Sequence, residues 1–300
     1  MATLRDIKHR ISSIKSTQKI TKAMKMVAAA KLRRAQDSII AARPYARKMK
    51  ELLESLSSSA ENNTNPSFVQ RDVQNVALVI ITSDRGLCGA FNTNIIKTAV
   101  NHINSNHSEA NQNGRLHLIM VGKKGYDFFV RRNYKIDSKH INIFNNLNFQ
   151  HARGIMNELG AGFLTGKYDK VEIIYNEFKS IIQQRINIEQ LLPIPPELLK
   201  KLDAKNIRAT ILTDYIYEPS SKEIIDALVP KHLNFQMWRI LLESNAAEQG
   251  ARMIAMDSAT TNANDLVRLL ALIYNKARQA AITKELLEIV SGAEALKKAG

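Results

Sequence analysis

The last seventy residues constrain the fold of this chain most strongly. Residues 231–300 contain no proline, and Gly250 is the only glycine before Gly292. Strong helix formers dominate the stretch, among them Ala, Leu, Met, Glu, Gln, Lys and Arg. An unbroken helix over residues 232–290 would be roughly 90 Å long at a rise of about 1.5 Å per residue. Since that length exceeds the thickness of a globular domain, we expect this helix to pack along a partner.

One face of this predicted helix carries small side chains. Alanine recurs every four residues, and side chains four apart lie on the same face of a helix. A row of small residues lets a second helix approach closely. Farther along, an apolar stripe continues at helical spacing. The alanines are Ala247, Ala251, Ala255, Ala259 and Ala263, and the stripe consists of Leu266, Leu269, Leu270, Ile273, Ala277 and Ala280.

A second long helix is predicted at the other end of the chain, over residues 1–60. This segment contains no glycine and a single proline, Pro44. Its first apolar residues follow the three-four alternation that is typical of a coiled-coil seam. These residues are Leu4, Ile7, Ile11 and Ile14. Long helices at both termini, separated by a mixed middle segment, predict an antiparallel coiled coil with a domain attached part-way along.

The middle segment alternates between strand and helix patterns. Short apolar runs at residues 76–82, 116–121 and 170–178 are typical of buried strands, and residues 181–192 alternate like a half-buried strand. Helical patterns lie between them, at residues 92–104, 125–132 and 152–165. This order predicts a Rossmann-like α/β domain, with a parallel, doubly wound sheet and a late edge strand.

The domain boundaries follow from prolines and polar linkers. A polar, asparagine-rich stretch ends the first helix, and three prolines near residue 195 end the sheet pattern. We therefore predict the α/β domain over residues 70–195 and a looser connector over residues 196–230. The long C-terminal helix is expected to follow Pro230 and to occupy residues 231–300.

The net charge of +15 is concentrated on the first helix. Residues 1–60 carry 14 Lys and Arg against 4 Asp and Glu, whereas residues 61–230 carry 20 against 17 and residues 231–300 carry 9 against 7. A basic helix can bind nucleic acid, a membrane surface or acidic protein loops. The first helix has a single aromatic residue, Tyr45, and is therefore a poor surface for base stacking. Composition alone leaves nucleic acid and protein partners open.

No segment carries the pattern of an active site. Residues 83–89 follow a strand and precede a helix, where α/β proteins often bind phosphate, yet both phosphate-binding glycine fingerprints are absent. We expect a structural turn there, with Cys88 as an unreactive, at least half-buried thiol. The seven histidines are scattered, without the spacing of a helical metal site. We predict no catalytic, cofactor-binding or metal-binding residues, so a small-molecule enzyme is only a third alternative.

Four sequence motifs resemble the gamma subunits of rotary ATP synthases. They are residues 14–29 (IKSTQKITKAMKMVAA), residues 81–92 (ITSDRGLCGAFN), residues 243–253 (ESNAAEQGARM) and residues 282–295 (ITKELLEIVSGAEA). The motifs occur in the family's order, and the resemblance covers the chain nearly end to end. It implies a non-catalytic rotor whose N- and C-terminal helices form a shaft. This rotor would couple proton flow through a c-ring to ATP synthesis or hydrolysis in a hexamer of alpha and beta subunits.

The resemblance also implies partners and the residues that contact them. The two helices would contact alpha and beta subunits, while the foot would contact the epsilon subunit and the c-ring, with no cofactor and no nucleic acid. Arg278, Gln279 and Thr283 would face a beta-subunit loop, and Glu248 and Arg252 would help to join the two helices. The full partner-binding set comprises Lys22, Met24, Lys25, Glu248, Arg252, Arg278, Gln279, Thr283 and Glu285. A basic coiled-coil protein that binds nucleic acid stays as the alternative.

The cellular location of the chain is predicted from membrane-span, targeting-peptide and cysteine patterns in its sequence. No apolar run approaches the length of a membrane span, and the helical pattern begins too early to leave room for a signal or transit peptide. The single cysteine fits a reducing compartment. Together with the resemblance, these features predict a peripheral location on the cytoplasmic face of a bacterial inner membrane, or on the matrix side of mitochondria for a mature organellar chain.

Overall fold

Two long helices flank a sheet in the computed structural model, which describes residues 3–59, 65–181, 183–195, 218 and 220–299. Helix α1 spans Leu4–Ser59 and helix α6 spans Ser221–Ala299. The fold class is therefore as predicted, an α/β domain with long terminal helices. Among the described residues, no helix is long and apolar enough to cross a membrane.

The chain divides into two compact units. The coiled-coil unit comprises Met1–Ala28 and Met253–Gly300, and the α/β unit comprises Ala29–Arg252. Each unit therefore contains part of α1 and part of α6. Most of the predicted connector, residues 196–217, lies outside the described residues.

The sheet of the α/β unit has five strands in the order β3-β2-β1-β4-β5. Strands β1 to β4 pair in parallel, and β5 pairs antiparallel with β4 at one edge. The parallel sheet and its late edge strand are thus confirmed. The strands are β1 (Val76–Ile81), β2 (Leu116–Val121), β3 (Ile136–His140), β4 (Lys170–Phe178) and β5 (Gln184–Leu192).

Helices cover both faces of the sheet, because the side chains of a strand alternate between its faces. Val79, Ile81 and Ile173 lie in a core with α5 and the first part of α6. Leu78 and Ile80 point the other way, into a core with α2 and α4. The short helices are α2 (Phe91–Asn106), α3 (Ser108–Gln112), α4 (Lys123–Val130) and α5 (Phe149–Leu164). Helix α3 lies within the polar, asparagine-rich stretch of residues 107–114.

Helix α6 begins ten residues before the predicted position, at Ser221. The predicted connector over residues 196–230 therefore extends too far, since its last ten residues are helical. The Ser220 hydroxyl accepts a hydrogen bond from the Glu223 backbone amide at 3.3 Å, which caps the helix. A proline inside a helix costs about 3 kcal/mol. Burial of neighbouring apolar side chains, each stabilising by about 1.5–3 kcal/mol, offsets that cost at Pro230.

The coiled-coil unit pairs its two helices in antiparallel order. The Thr21 and Thr260 hydroxyls lie 2.8 Å apart, and Lys25 Nζ lies 2.6 Å from Asp257 Oδ1. The Gln18 side-chain amide donates a hydrogen bond to Asn264. Position numbers on α6 therefore rise as those on α1 fall, which confirms the predicted antiparallel coiled coil.

Candidate functional site

The coiled-coil unit exposes many large apolar side chains. On α6 their exposed fractions run from 37% for Ile254, through 44% for Ile273, to 69% for Leu272, and on α1 Ile20 and Met26 are each 60% exposed. Contiguous exposed apolar surface of this kind marks a protein interaction site. The remaining members are Val27 on α1 and Leu266, Leu269, Ile282, Leu286, Leu287, Ile289 and Val290 on α6.

The register explains why consecutive residues are exposed near the end of α6. Thr260 lies level with Thr21, and Asp257 with Lys25, so the first residue of α1, Leu4, lies level with about residue 278 of α6. We call residues 279–293 of α6 the tip segment. Within the coiled-coil unit, α1 does not extend far enough to cover this segment. Its side chains are therefore open on nearly every side.

Four residues of the predicted partner-binding set lie at or next to the tip segment. Arg278, Gln279, Thr283 and Glu285 are all exposed. The Thr283 hydroxyl donates to the backbone carbonyl of Gln279 at 3.0 Å, so its donor is already satisfied within the helix. Helical spacing interleaves these polar groups with the exposed apolar side chains. Their contact with a beta subunit stays a prediction.

The predicted residues on α1 lie in the paired part of the coiled-coil unit. Lys22 is exposed and Met24 is half-buried. Lys25 forms an ion pair with Asp257, although both side chains keep about half of their surface in solvent. Lys15 and Lys19 are exposed as well, and we call Lys15, Lys19 and Lys22 the basic face of α1.

The last two predicted residues belong to the α/β unit, where their hydrogen bonds are intramolecular. Arg252 Nη1 donates to the carbonyl of Gly86 at 2.5 Å, and Nη2 donates to Glu248 Oε1 at 2.5 Å. Burial raises the pKa of Glu248, and the neighbouring Arg252 guanidinium opposes that rise. In the α/β unit this pair fixes the turn after β1 to α6. A role for Glu248 and Arg252 in contact with a partner stays a prediction.

The turn at residues 83–89 is closed by its own hydrogen bonds. Asn92 Oδ1 accepts from the Ser83 backbone amide at 2.9 Å, and Asn92 Nδ2 donates to Cys88 Sγ at 3.2 Å. Burial raises the pKa of the Cys88 thiol, which disfavours the reactive thiolate. These contacts agree with the predicted structural turn and unreactive cysteine.

One cluster of polar side chains in the α/β unit was not predicted. His102 Nε2 and His107 Nε2 lie 2.7 Å and 2.8 Å from the same oxygen of Glu172, Oε2. Lys170 Nζ lies 2.6 Å from the other oxygen. Burial acts to raise the pKa of Glu172, but these hydrogen bonds outweigh it and hold the pKa well below its usual range. Sequence spacing could not reveal the cluster, because the histidines lie 70 and 65 residues from the carboxylate.

Comparison with known proteins gives one consistent family. The ATP synthase family model matches residues 3–296. The ATP synthase gamma chain of Chloroherpeton thalassium is 54% identical over 304 residues, with 99% of each chain covered. The gamma chain of Prosthecochloris aestuarii is 56% identical over 298 residues, again with 99% of each chain covered.

Solved structures agree with this family. The central stalk and c-ring structure of the Tetrahymena thermophila mitochondrial ATP synthase contains a chain that is 30% identical, with a TM-score of 0.59. The match covers 80% of this chain and 99% of that one. A chain in the Euglena gracilis mitochondrial ATP synthase shares the fold at 22% identity, with a TM-score of 0.68 and coverage of 98% and 94%.

Proposed function

Since the chain belongs to the ATP synthase gamma chain family, we propose that its coiled-coil unit is the part that the alpha and beta subunits surround. The chain is a stalk subunit of the ATP synthase complex rather than a catalytic one. Its task is mechanical: it couples rotation, driven by proton flow through the c-ring, to ATP synthesis or hydrolysis elsewhere in the complex.

The exposed apolar side chains of the tip segment carry this proposal. Leu286, Leu287 and Ile289 are between 58% and 68% exposed, in the part of α6 that α1 does not reach. Burial of one leucine or isoleucine side chain stabilises by about 1.5–3 kcal/mol, so this surface favours a protein sheath. Apolar contacts are non-directional, and a shaft that rotates inside its sheath requires contacts that tolerate changes of register.

The basic face of α1 supports protein partners with acidic loops. Exposed lysines recur along the paired part of the helix, whereas residues 61–300 are close to electrically balanced. An asymmetric charged and apolar surface can favour different conformations of each beta subunit as it turns. It would do so by contacts that differ between those conformations. We propose that Lys22, Met24, Arg278, Gln279 and Thr283 make such contacts.

The remaining partners follow from family membership. We infer that the α/β unit is the foot, which contacts the epsilon subunit and the c-ring. Peripheral attachment through the complex, on the cytoplasmic face of a bacterial inner membrane, completes the proposal. The nucleic-acid alternative finds no support in the comparisons reported above.

Reconstitution tests the proposed sheath. The full chain is mixed with alpha and beta subunits from the same source, and ATP hydrolysis of the isolated complex is followed with and without it. We expect one chain per hexamer, and we expect turnover to fall when the residues after Asn275 are deleted. Failure to assemble with folded partners, together with salt-sensitive DNA binding, would instead favour the nucleic-acid alternative.

A matched pair of point variants refines this test. Leu287→Glu places a charge on the tip segment, and Leu164→Glu makes the same change at a similarly exposed leucine of the α/β unit. Leu287→Glu removes one leucine that the proposed sheath would bury. We expect this variant to weaken association with the hexamer by roughly ten- to hundred-fold. Leu164→Glu should leave that association unchanged. Equal effects of the two variants would contradict a sheath around the tip segment.

A further inference from the structure

The unpredicted cluster of His102, His107 and Glu172 has the composition of a metal site. Two imidazole nitrogens and one carboxylate oxygen lie within 4.8 Å of one another. All three side chains are at least nine-tenths buried. Two histidines and one glutamate form a ligand set that proteins use for zinc with an open fourth position. Imidazole ligands favour zinc and similar transition metals over magnesium or calcium.

The three ligand atoms already lie close together. Each histidine Nε2 lies within 2.8 Å of Glu172 Oε2. An ion bound at about 2.0–2.2 Å from each atom needs ligand separations slightly wider than these hydrogen bonds. Small rotations of the side chains provide that widening, so no backbone movement is required.

A neighbouring amide fixes the orientation of one ligand. Asn106 Nδ2 lies 2.9 Å from His102 Nδ1, on the far side of the ring from Glu172. A half-turn of the Asn106 amide presents its oxygen instead, which accepts a hydrogen bond from a protonated Nδ1. Such a bond leaves the lone pair of Nε2 for a metal. Hydrogen bonds of this kind usually accompany metal-ligating histidines.

A pocket gives solvent access to the cluster. It has a volume of about 430 Å³, and His107 and Glu172 line it together with Asn106, Lys170 and Arg115. The pocket provides an entry path and room for a water molecule at the fourth position. Lys170 is the natural competitor, because its ammonium already lies against the second oxygen of Glu172.

From this geometry we propose that His102, His107 and Glu172 form a binding site for a divalent transition-metal ion of the zinc class. The ion replaces the two histidine hydrogen bonds and part of the charge that Lys170 contributes. It would tie the end of α2 to β4 and so brace the α/β unit. The proposal does not depend on the rotor function, and it is tested on the full chain without partner subunits.

The experiment uses the tag-free full chain after exhaustive dialysis against a chelator. Titration with Co²⁺ is followed by its visible absorption, which reports tetrahedral coordination, and titration with Zn²⁺ by calorimetry. We expect one saturable equivalent per chain and a rise in Tm with Zn²⁺ concentration, because an ion that binds only the folded state stabilises it. Absence of a saturable equivalent in the wild-type chain would overturn the proposal.

Four variants assign the site. His107→Gln and Glu172→Gln each remove one ligand and should weaken Co²⁺ binding by about 100-fold or more. Lys170→Gln removes the competing cation and should strengthen binding by roughly ten-fold. His117→Gln is the matched control, since it removes another buried histidine that contacts a carboxylate, at 2.9 Å from Asp137 Oδ2.

The variants also separate this site from binding elsewhere on the chain. Circular dichroism establishes that each variant is folded before it is titrated. Binding that is lost in the ligand variants, strengthened in Lys170→Gln and unchanged in His117→Gln supports the proposed site. Binding that is unchanged in both ligand variants would place the ion elsewhere and overturn it. Weaker binding in Lys170→Gln would also contradict the assigned competition.

Discussion

The two units of this chain bury their apolar residues to very different extents. In the α/β unit, all six residues of β1 and all six of β2 are buried. In the coiled-coil unit, Leu269, Leu272 and Ile289 are each more than half exposed. Both units contain leucine, isoleucine and valine. The difference lies in what covers those side chains, since helices of the same unit cover the sheet on both faces.

This comparison separates two sources of stability. A sheet with buried faces gains its stability from its own core, so it is expected to fold without help. Two paired helices bury only a seam, and the rest of their apolar surface is stabilised only when another protein covers it. The proposed sheath of alpha and beta subunits would require this second arrangement, because the surface that it covers must remain open until assembly.

The largest expected effect comes from a cavity in the sheet. Leu118 on β2 is fully buried, so Leu118→Ala should lower the free energy of unfolding by about 2–5 kcal/mol. Leu287→Ala makes the same change on the tip segment, where the side chain is 61% exposed, and should change that free energy by less than about 0.5 kcal/mol. Denaturant unfolding of the full chain measures both. A similar loss in both variants would contradict the difference in burial.

A pair of glycines in α5 provides a second test of core packing. A Cβ at Gly162 would lie 2.3 Å from Tyr168 Cε2, whereas a Cβ at Gly160 would meet no atom within 4 Å. Gly162→Ala should therefore destabilise the α/β unit by about 1–3 kcal/mol through overpacking. Gly160→Ala should stabilise it by about 0.5–1 kcal/mol, because alanine favours a helix. Thermal unfolding of the two variants checks the opposite signs.

Sequence patterns predicted two kinds of element: strands that are buried on both faces, and helices that bury one face. The buried strands β1, β2 and β4 appear as apolar runs, and the coiled-coil seam appears as a three-four alternation. Strand β3, at Ile136–His140, was missed because it is a half-buried edge strand with mainly polar residues. The early start of α6 was missed because the local penalty of Pro230 is outweighed by burial in the core, which depends on the tertiary fold.

The candidate sites differ in the same way. Exposure of Arg278 and Thr283 near an apolar surface could be anticipated from resemblance and from helical spacing. Convergence of His102 and His107 on Glu172 could not, since His102 lies in α2, His107 directly follows α2 and Glu172 lies in β4. Only the pairing of strands and the packing of α2 on the sheet bring them together. Local sequence carries no signal for such a contact.

A buried carboxylate is expected to make stability depend on pH. Asp137 Oδ2 accepts hydrogen bonds from His117, Tyr168 and Lys167, at 2.9, 3.0 and 2.8 Å. Burial acts to raise the pKa of Asp137, but these hydrogen bonds outweigh it and lower the pKa. The stabilisation is therefore present above the unfolded pKa of about 3.9 and is lost as the pH falls through the lower folded pKa.

Asp137→Asn tests this dependence. We expect the variant to lose on the order of 1–2 kcal/mol at neutral pH, because charge-assisted hydrogen bonds are replaced by neutral ones. The difference from wild type should shrink as the pH falls below about 4. Asp265→Asn, on an exposed position of α6, is the matched control and should show neither change. Denaturant midpoints measured across the acid range follow both variants, and a constant difference would contradict the assigned pKa shift.

The smallest expected effect lies in the coiled-coil unit, at the ion pair of Lys25 and Asp257. Their side chains are 40% and 55% exposed, so solvent screens the attraction. A double-mutant cycle to alanine should give a coupling of about 0.2–1 kcal/mol that decreases with added salt. The pair of Arg252 and Glu248 in the α/β unit is only 12% and 7% exposed, so its coupling should resist salt. If the two coupling energies decreased equally with added salt, the assumed dependence of salt screening on burial would be contradicted.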